Sequence, residues 1–541
     1  MKEQFALIDY FIFGLYAVII LGVGLYMSRT KKGKDKTTED YFLAGKTLPW
    51  WAIGASLIAA NISAEQFIGM SGSGFAVGLA IASYEWMAAL TLIIVGKYFL
   101  PVFIKQGLYT IPEFVEKRFN TSLKTILAIF WIALFVFVNL TSVIYLGGKA
   151  LDTVLGVGDG SNIILYMIGL ALFAAAYSVW GGLSAVAWTD VIQVVLLIIG
   201  GLITTYIALD NVTVQGGVFN GLTHIYDVAG DKFHMILKKD NPEFANLPGI
   251  AVLIGGMWVA NLYYWGFNQY IIQRALAAKS LREAQKGIAF AAFLKIIVPL
   301  IVVIPGIIAA VMYKENIANA VSAFSVDNSI NYDKAYPWLI STFVPVGFKG
   351  LVVAALSAAI VSSLASMLNS TSTIFTMDIY KAHINKGAND KKLVTIGRIT
   401  VLVALVVATS IAKTMGSIPQ MFQYIQEYTG IVSPGILAVF LMGLFWKKTN
   451  VKGAIVGVLA SIPIALGLKF LPIDMPFIDQ MFYTMLMTIV MIVGVSLNTG
   501  DGDDDPKGIP LLKETFATGR VFNISAYIIL IILVVLYSVF W

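Results

Sequence analysis

Two neighbouring hydroxyls, Ser362 and Ser363, interrupt an apolar stretch that reads GLVVAALSAAIVSSLASMLNSTSTIFTMDIY. Consecutive residues of a helix point about 100° apart, so the pair cannot serve one helix–helix seam. Hydroxyls and backbone carbonyls are the neutral oxygens that a hard monovalent cation takes. A second supply of such oxygens lies in WWAIGASLIAANISAEQFIGMSGSG, which starts at Trp50. There an apolar run gives way to Asn61, Ser63, Glu65 and Gln66, then to alternating Gly and Ser. A helix unwound at this point would bare carbonyls near Ala59 and Ile62, and with the two serines opposite these would make a cation site. For most of Ser357, Ser366, Asn369, Ser370, Thr371 and Thr373 helix packing is the better account.

A second constellation is ionic. Glu85 stands between Tyr84 and Trp86 in GLAIASYEWMAALTL, and Lys295 lies in FAAFLKIIVPLIVVIPG with Pro299 and Pro305 nearby. A lone carboxylate in such a segment costs a few kcal/mol unless it is paired or faces a polar cavity. Glu85 would accept from substrate hydroxyls or neutralise a buried cation, with Lys295 as the partner. Glu65, Asp190 and Glu427 complete the ionisable set within the apolar runs.

The elements that hold these groups are membrane helices. Of 541 residues 58% are hydrophobic and 13% charged, a composition that excludes a soluble globular chain. The net charge of +6 therefore carries no nucleic-acid signal, because membrane proteins gather Lys and Arg in cytoplasmic loops. No cysteine is present, which removes thiolate metal sites and Cys nucleophiles, and His224, His234 and His383 fall in connections. Nothing resembles a nucleophile–base pair, so the chain is expected not to be an enzyme and to need no cofactor. Spans are expected at 5–28, 49–71, 77–104, 123–153, 161–181, 185–210, 247–272, 281–313, 345–379, 393–416, 418–446, 451–471, 475–498 and 521–541. Gly181-Gly182 divides the fifth from the sixth, and a turn from Met415 to Pro419 divides the tenth from the eleventh. The N-terminal run is too long for a cleavable signal and reads as the first span.

Charge in the connections sets the orientation. Arg29, Lys31, Lys32, Lys34, Lys36 and Lys46 lie in the first, and Lys105, Lys117, Arg118 and Lys124 in the third. Arg274, Lys279, Arg282 and Lys286 follow the seventh span, Lys381 to Arg398 the ninth, and Lys447, Lys448 and Lys452 the eleventh. With basic connections inside, both termini face outward, and fourteen spans satisfy the even count this requires. Five spans after the polar break, GGMWVANLYYWGFNQYI repeats its character. A repeat of five helices must run inverted, and two interrupted helices at matching positions point to a binding site near the midplane.

GGLSAVAWTDVIQ, from Gly181 to Gln193, resembles the signature of the solute:sodium symporter family. The broken stretch from Trp50, NLYYWGFNQY and IVSSLASMLNS resemble the sugar-transporting bacterial members, and the resemblance runs from Tyr41 to Trp541. It implies an all-α polytopic membrane protein with a LeuT-type core of two inverted five-helix repeats, one helix before and three after. The division would be 1–48 for the extra helix and basic loop, 49–210 and 247–446 for the repeats, and 451–541 for the peripheral helices. It further implies a sodium site from Ala59, Ile62, Ala359, Ser362 and Ser363, with Asp190 near the inward ion path. A sugar site would use Asn61, Gln66, Glu85, Asn261, Lys295 and Gln426. Tyr264 would stack on the sugar and form an inner gate with Trp265, while Met70, Tyr84 and Phe422 would cover it from outside. Two positions depart from the sugar-transporting pattern: Ala88 replaces Ser and Phe135 replaces Tyr, each losing a hydroxyl expected near the sugar.

Polar amides, Glu and Lys match pyranose hydroxyls, and an aromatic face matches the ring's CH groups. The expected activity is sodium-coupled import of a monosaccharide, galactose or glucose, across a bacterial inner membrane. The alternatives keep the fold and change the solute to inositol, sialic acid, proline or an anion. A carboxylate solute would want an Arg at the site, and no Arg is expected deep in the core spans. A sensor would need a soluble signalling domain, and a channel a repeated filter ring. Partners are thus the solute, sodium and the lipid bilayer, with no nucleic acid; the sequence leaves oligomeric state open.

Overall fold

The computed structural model describes all residues except 1–4, 28, 30–35, 156–159, 327–328, 419, 472–474, 501–502 and 511. Met1, Lys31, Lys32, Lys34 and Pro419 therefore lie outside the described residues, as do the side chains of Tyr177 and Trp180.

Among the described residues, eleven helices are long and apolar enough to cross a membrane. They are Leu7–Met27, Leu79–Lys105, Thr121–Leu155, Gly181–Asn211, Leu281–Lys314, Phe348–Ile384, Asp390–Gly416, Met421–Phe445, Val451–Phe470, Phe477–Thr499 and Arg520–Val539. Three other stretches read as spans are helical but interrupted. Trp50–Asn61 ends at Ile62, whose ψ of 102° is extended, and the chain resumes helically as Glu65–Met70 and Ser71–Val77. Gly256–Phe267 ends at Asn268, with ψ 119°, and resumes as Gln269–Leu276. Ile163–Asn211 is one helical run bent at Gly182, where φ is 62° and ψ −154°. The boundary expected there is thus a kink without a loop. A Cβ at Gly182 would lie 2.3 Å from the Tyr41 carbonyl oxygen, so both the conformation and the contact require glycine. Among the described residues, β structure is limited to the antiparallel pair Ser325–Val326 with Ser329–Ile330 and a parallel bridge between Leu48 and Ala278.

Burial orders the helices. The apolar window of Phe348–Ile384 is 94% buried inside the protein, that of Leu281–Lys314 78% and that of Leu79–Lys105 67%. Leu7–Met27 and Arg520–Val539, at 22% and 17%, stand at the rim with apolar faces outward. The two interrupted helices are held among the buried ones. Gly306 of Leu281–Lys314 comes so close to the first of them that a Cβ there would sit 2.0 Å from the Ser71 carbonyl oxygen.

Side-chain caps start several helices, as their sequences dictate. Asn120, Ser280, Asn389 and Asn450 each accept from an amide in the first turn of the helix that follows. Asp9 of the first helix is fully buried and accepts from the amides of Gly347 (2.8 Å) and Gly350 (2.6 Å), tying the rim to the start of the central helix.

Three charges counted as loop residues are not in solvent. Arg274 is completely buried in Gln269–Leu276, which corrects the expectation that no Arg lies deep in the core. Arg118 is buried where its guanidinium donates to the carbonyls of Gly443 (2.9 Å), Lys447 (3.2 Å) and Thr449 (2.8 Å), and pairs with Asp505 at 3.3 Å. It caps the Gly443 carbonyl in the last turn of Met421–Phe445 and gathers the connection that follows. Lys124 is buried against Glu116 at 2.6 Å.

Candidate functional site

Unwinding a helix in the hydrocarbon region leaves backbone groups that the chain itself must satisfy. At the first break Gln66 does this: its Oε1 accepts from the Ser63 amide (3.0 Å) and hydroxyl (3.2 Å), while the Ser63 hydroxyl accepts from the Glu65 amide (3.0 Å). The break therefore has a defined shape, and beside it lies a tight cavity of about 60 Å3 lined by residues of both interrupted helices.

Asn61, Gln66, Glu85, Asn261, Tyr264, Lys295 and Gln426 all line this cavity, and so do Met70, Tyr84, Phe422 and Trp265. At its centre the Lys295 ammonium donates to a Glu85 carboxylate oxygen and to the Asn61 side-chain oxygen, and it lies 5.2 Å from the centre of the Trp265 ring. Glu85 and Lys295 are 3% and 1% exposed, so each neutralises the other away from water. The Asn61 amide donates to the Tyr264 hydroxyl at 2.9 Å, and the Tyr270 hydroxyl donates to the same oxygen at 2.8 Å. Tyr264 packs edge-on against Trp265, with centroids 5.2 Å apart, on one side of the cavity. Tyr84 and Phe422, also on the wall, meet edge-on at 5.2 Å.

One cavity-lining carboxylate oxygen of Glu65, together with the hydroxyls of Tyr84, Tyr263, Thr429 and Ser433, has no protein hydrogen-bond partner. The wall thus offers a mixture of donors and acceptors beside aromatic faces, the chemistry that a polyhydroxylated ring requires. Among the described residues no Arg lines the cavity. Ala88 is on its wall, but Phe135 lies outside it. Phe135 is packed edge-on against Tyr270 at 5.4 Å, so its missing hydroxyl is not a loss from the cavity surface. Glu427 faces away as well, paired with Lys469 at 3.0 Å.

A separate polar cluster joins the first interrupted helix to the central one. Ala59, Ile62, Ala359, Ser362 and Ser363 are all completely buried. The Ser363 hydroxyl donates to the Ala60 carbonyl at 2.9 Å, in the last turn before the break. The Ser362 hydroxyl turns the other way and donates to Asp190 Oδ1 at 2.5 Å. The pair does divide its two directions as adjacency requires, but only Ser363 addresses the break. Asp190, expected along an ion path, is bonded into the cluster: its other oxygen accepts from Ser56 at 2.5 Å and lies 3.6 Å from the Arg274 guanidinium. Arg274 also donates to Ser56 (3.1 Å), to Ser366 and to the Tyr270 carbonyl. Sequence reasoning missed Ser56 and Arg274. The signal was present in the second break, because a helix resuming at Gln269 carries Arg274 inward before any loop begins.

The histidines serve the connections: His224 lies 2.9 Å from Glu315 and His383 2.7 Å from Thr125. Among the described residues no group of three or more His, Asp or Glu is arranged to hold a metal ion.

The sequence profile of the Sodium:solute symporter family matches residues 41–461, which contain every residue of the cavity wall but Met481 and the whole buried cluster. The chain belongs to that family. It is a sodium-coupled symporter and not an enzyme. Over 544 residues it is 64% identical to the sodium/glucose cotransporter of Vibrio parahaemolyticus, a match covering 100% of this chain and 99% of that one. It is 33% identical over 523 residues to the sodium/myo-inositol cotransporter 2 of Homo sapiens, covering 89% and 75%. Among solved structures, a Na+-coupled sialic acid symporter in a substrate-bound outward-open state superposes with a TM-score of 0.78 at 23% identity, covering 91% of this chain and 98% of that one. The symporters share this multi-helix membrane fold.

Proposed function

We propose that this symporter carries a monosaccharide, galactose or glucose, together with sodium into a bacterial cell across the inner membrane, by alternating access. The observation that carries the reading is the Glu85–Lys295–Asn61 group set against the Trp265 and Tyr264 rings in one cavity. A neutral polyol exchanges hydrogen bonds with these groups and stacks on the rings, and the absence of Arg from the wall disfavours a carboxylate solute. The relatives that carry glucose in their names support the same solute.

The sugar would be held by Asn61, Gln66, Glu85, Asn261, Lys295 and Gln426, with Tyr264 under its apolar face. Tyr264 and Trp265 would form the inner gate, and Met70, Tyr84 and Phe422 the outer cover. Sodium would bind through the carbonyls of Ala59, Ile62 and Ala359 and the hydroxyls of Ser362 and Ser363, with Asp190 receiving it on the way in. The proposed architecture has fourteen spans with both termini outside: one helix within 1–48, inverted repeats at 49–210 and 247–446, and three helices at 451–541. The two observed breaks, at Ile62 and Asn268, take matching places in those repeats.

Moving one charge through 100 mV yields about 2.3 kcal/mol, which at about 1.4 kcal/mol per decade concentrates sugar about 40-fold per sodium. Proteoliposomes offered labelled galactose, glucose and myo-inositol, with sodium or potassium outside, test the proposal. Accumulation of a hexose in sodium alone is expected. A second reading, with myo-inositol as solute, is favoured by the Ala88 wall and by the inositol-named relatives. Preferred inositol uptake would select it, and uptake indifferent to sodium would end both.

A further inference from the structure

We infer that Gln269 and Gln273 are positioning residues that latch the interrupted half-helices shut at the end of the molecule where the basic connections gather; this rests on the alternating-access reading above. The half-helices Trp50–Asn61 and Gln269–Leu276 are joined by the backbone just outside their ends and by one side-chain bond between them. Leu48 donates to the Ala277 carbonyl at 3.2 Å and accepts from the Lys279 amide at 3.3 Å, and Arg274 donates to Ser56. These bonds make the two half-helices one unit.

Two side-chain amides then tie that unit to its surroundings. The Gln269 Oε1 accepts from the Ile111 amide at 2.8 Å, and its Nε2 donates to the Tyr109 carbonyl at 3.2 Å. This is a two-way bridge to the connection ahead of the Ile111–Arg118 helix. One turn later the Gln273 Nε2 donates to the Phe42 carbonyl at 2.6 Å and to Thr373 at 3.1 Å, while its Oε1 accepts from Ser370 at 2.8 Å. Both glutamines are completely buried. A buried amide bonded at both its oxygen and its nitrogen holds a position without fixing a charge there. It can therefore exchange protein partners for water without the large cost of exposing or burying an ion. Arg274, by contrast, is committed to Asp190 in the ion cluster. The glutamines are the contacts that can part when the unit swings, and the Tyr264–Trp265 floor lies only a few residues upstream on the same interrupted helix.

The chain has no cysteine, so a single one reports cleanly. Ala260→Cys on the cavity wall would be labelled with a membrane-impermeant maleimide, applied to right-side-out or inside-out vesicles with sodium and sugar absent. Adding Gln269→Met or Gln273→Met is expected to speed labelling about ten-fold from the cytoplasmic face and to leave the other face unchanged. Ser370→Ala, which removes one Gln273 bond and folds more safely, should give a smaller increase of the same one-sided kind. Gln273→Glu keeps the acceptor for Ser370 and loses both donated bonds, so it should not restore slow labelling. Unchanged rates in Gln269→Met and Ser370→Ala, or equal acceleration from both faces, would overturn the latch. The readout needs no transport, so it fails independently of the sugar assignment.

Discussion

Removing the charge of Glu85 should abolish transport and strain the fold through Lys295. The ammonium is 1% exposed and bonded to Glu85 and Asn61 above the Trp265 ring. In Glu85→Gln the Asn61 oxygen and the ring remain, so what is lost is the counter-charge alone. Stranding one member of a buried pair costs about 3–5 kcal/mol. At about 1.4 kcal/mol per decade that is about two to three and a half decades in the ratio of folded to unfolded protein. Lys295→Met should cost a similar amount by stranding the carboxylate. The double variant removes both charges, so its thermal stability should return close to wild type while uptake stays absent. The assay is a double-mutant cycle of stability, read by thermal unfolding in detergent, beside initial uptake in proteoliposomes. Additive stability losses would refute the pairing, and wild-type uptake in either single variant at limiting sugar would remove that residue from the site.

Other consequences follow from single contacts. Ser363→Ala removes the hydroxyl that meets the Ala60 carbonyl and is expected to raise the sodium concentration for half-maximal uptake at least ten-fold. Ser362→Ala, which frees Asp190 instead, should do the same or less, and unchanged sodium curves in both would return the serines to packing. Gln66→Ala unties the Ser63 turn at the break and should abolish uptake with the protein still inserted, whereas wild-type KM would show that the break shapes nothing. Asp333 lies outside the spans in the Tyr332–Lys334 turn, and burial pushes its carboxyl up to about 6 from the usual 3.8, against the pull of Lys149 and the Met421 amide. The folded state therefore holds this proton more tightly than the unfolded one, so its contribution to stability is full below about pH 4 and is lost as pH rises through 6. Asp333→Asn should flatten that part of the stability profile measured by thermal unfolding from pH 4 to 7, and an unaltered profile would contradict the assignment.

How much of this was legible in the sequence depended on the kind of signal. The helices declared themselves by apolar length, and the first break by Asn61 and the Gly-Ser run that no continuous span would carry. Buried polar residues in a membrane need a reason, so Glu85 called for Lys295 and the structure supplies the contact, whereas positions such as Asn261, Gln426 and Phe422 came with the family resemblance. What sequence could not give was direction. Ser362 and Ser363 are equivalent as text, yet one meets Asp190 and the other the break. Arg274 was assigned to a loop because positive charge marks cytoplasmic connections, and the extra turns of helix after Asn268 bury it. Gly182 looked like a boundary between helices, but a positive φ turns the chain without ending it. Phe135 was placed at the sugar by the family resemblance, whereas its ring packs on Tyr270.

The central claim is that the polar cavity and the buried oxygen cluster are energetically coupled. Coupling of binding is reciprocal, so the factor by which sodium tightens sugar must equal the factor by which sugar tightens sodium. Equilibrium binding of labelled galactose across a sodium titration, and of labelled sodium across a galactose titration, gives both factors on the same purified protein. Two equal factors well above one, both falling to one in Ser363→Ala, are the predicted result. Hexose binding that ignores sodium in the wild-type protein would contradict the account.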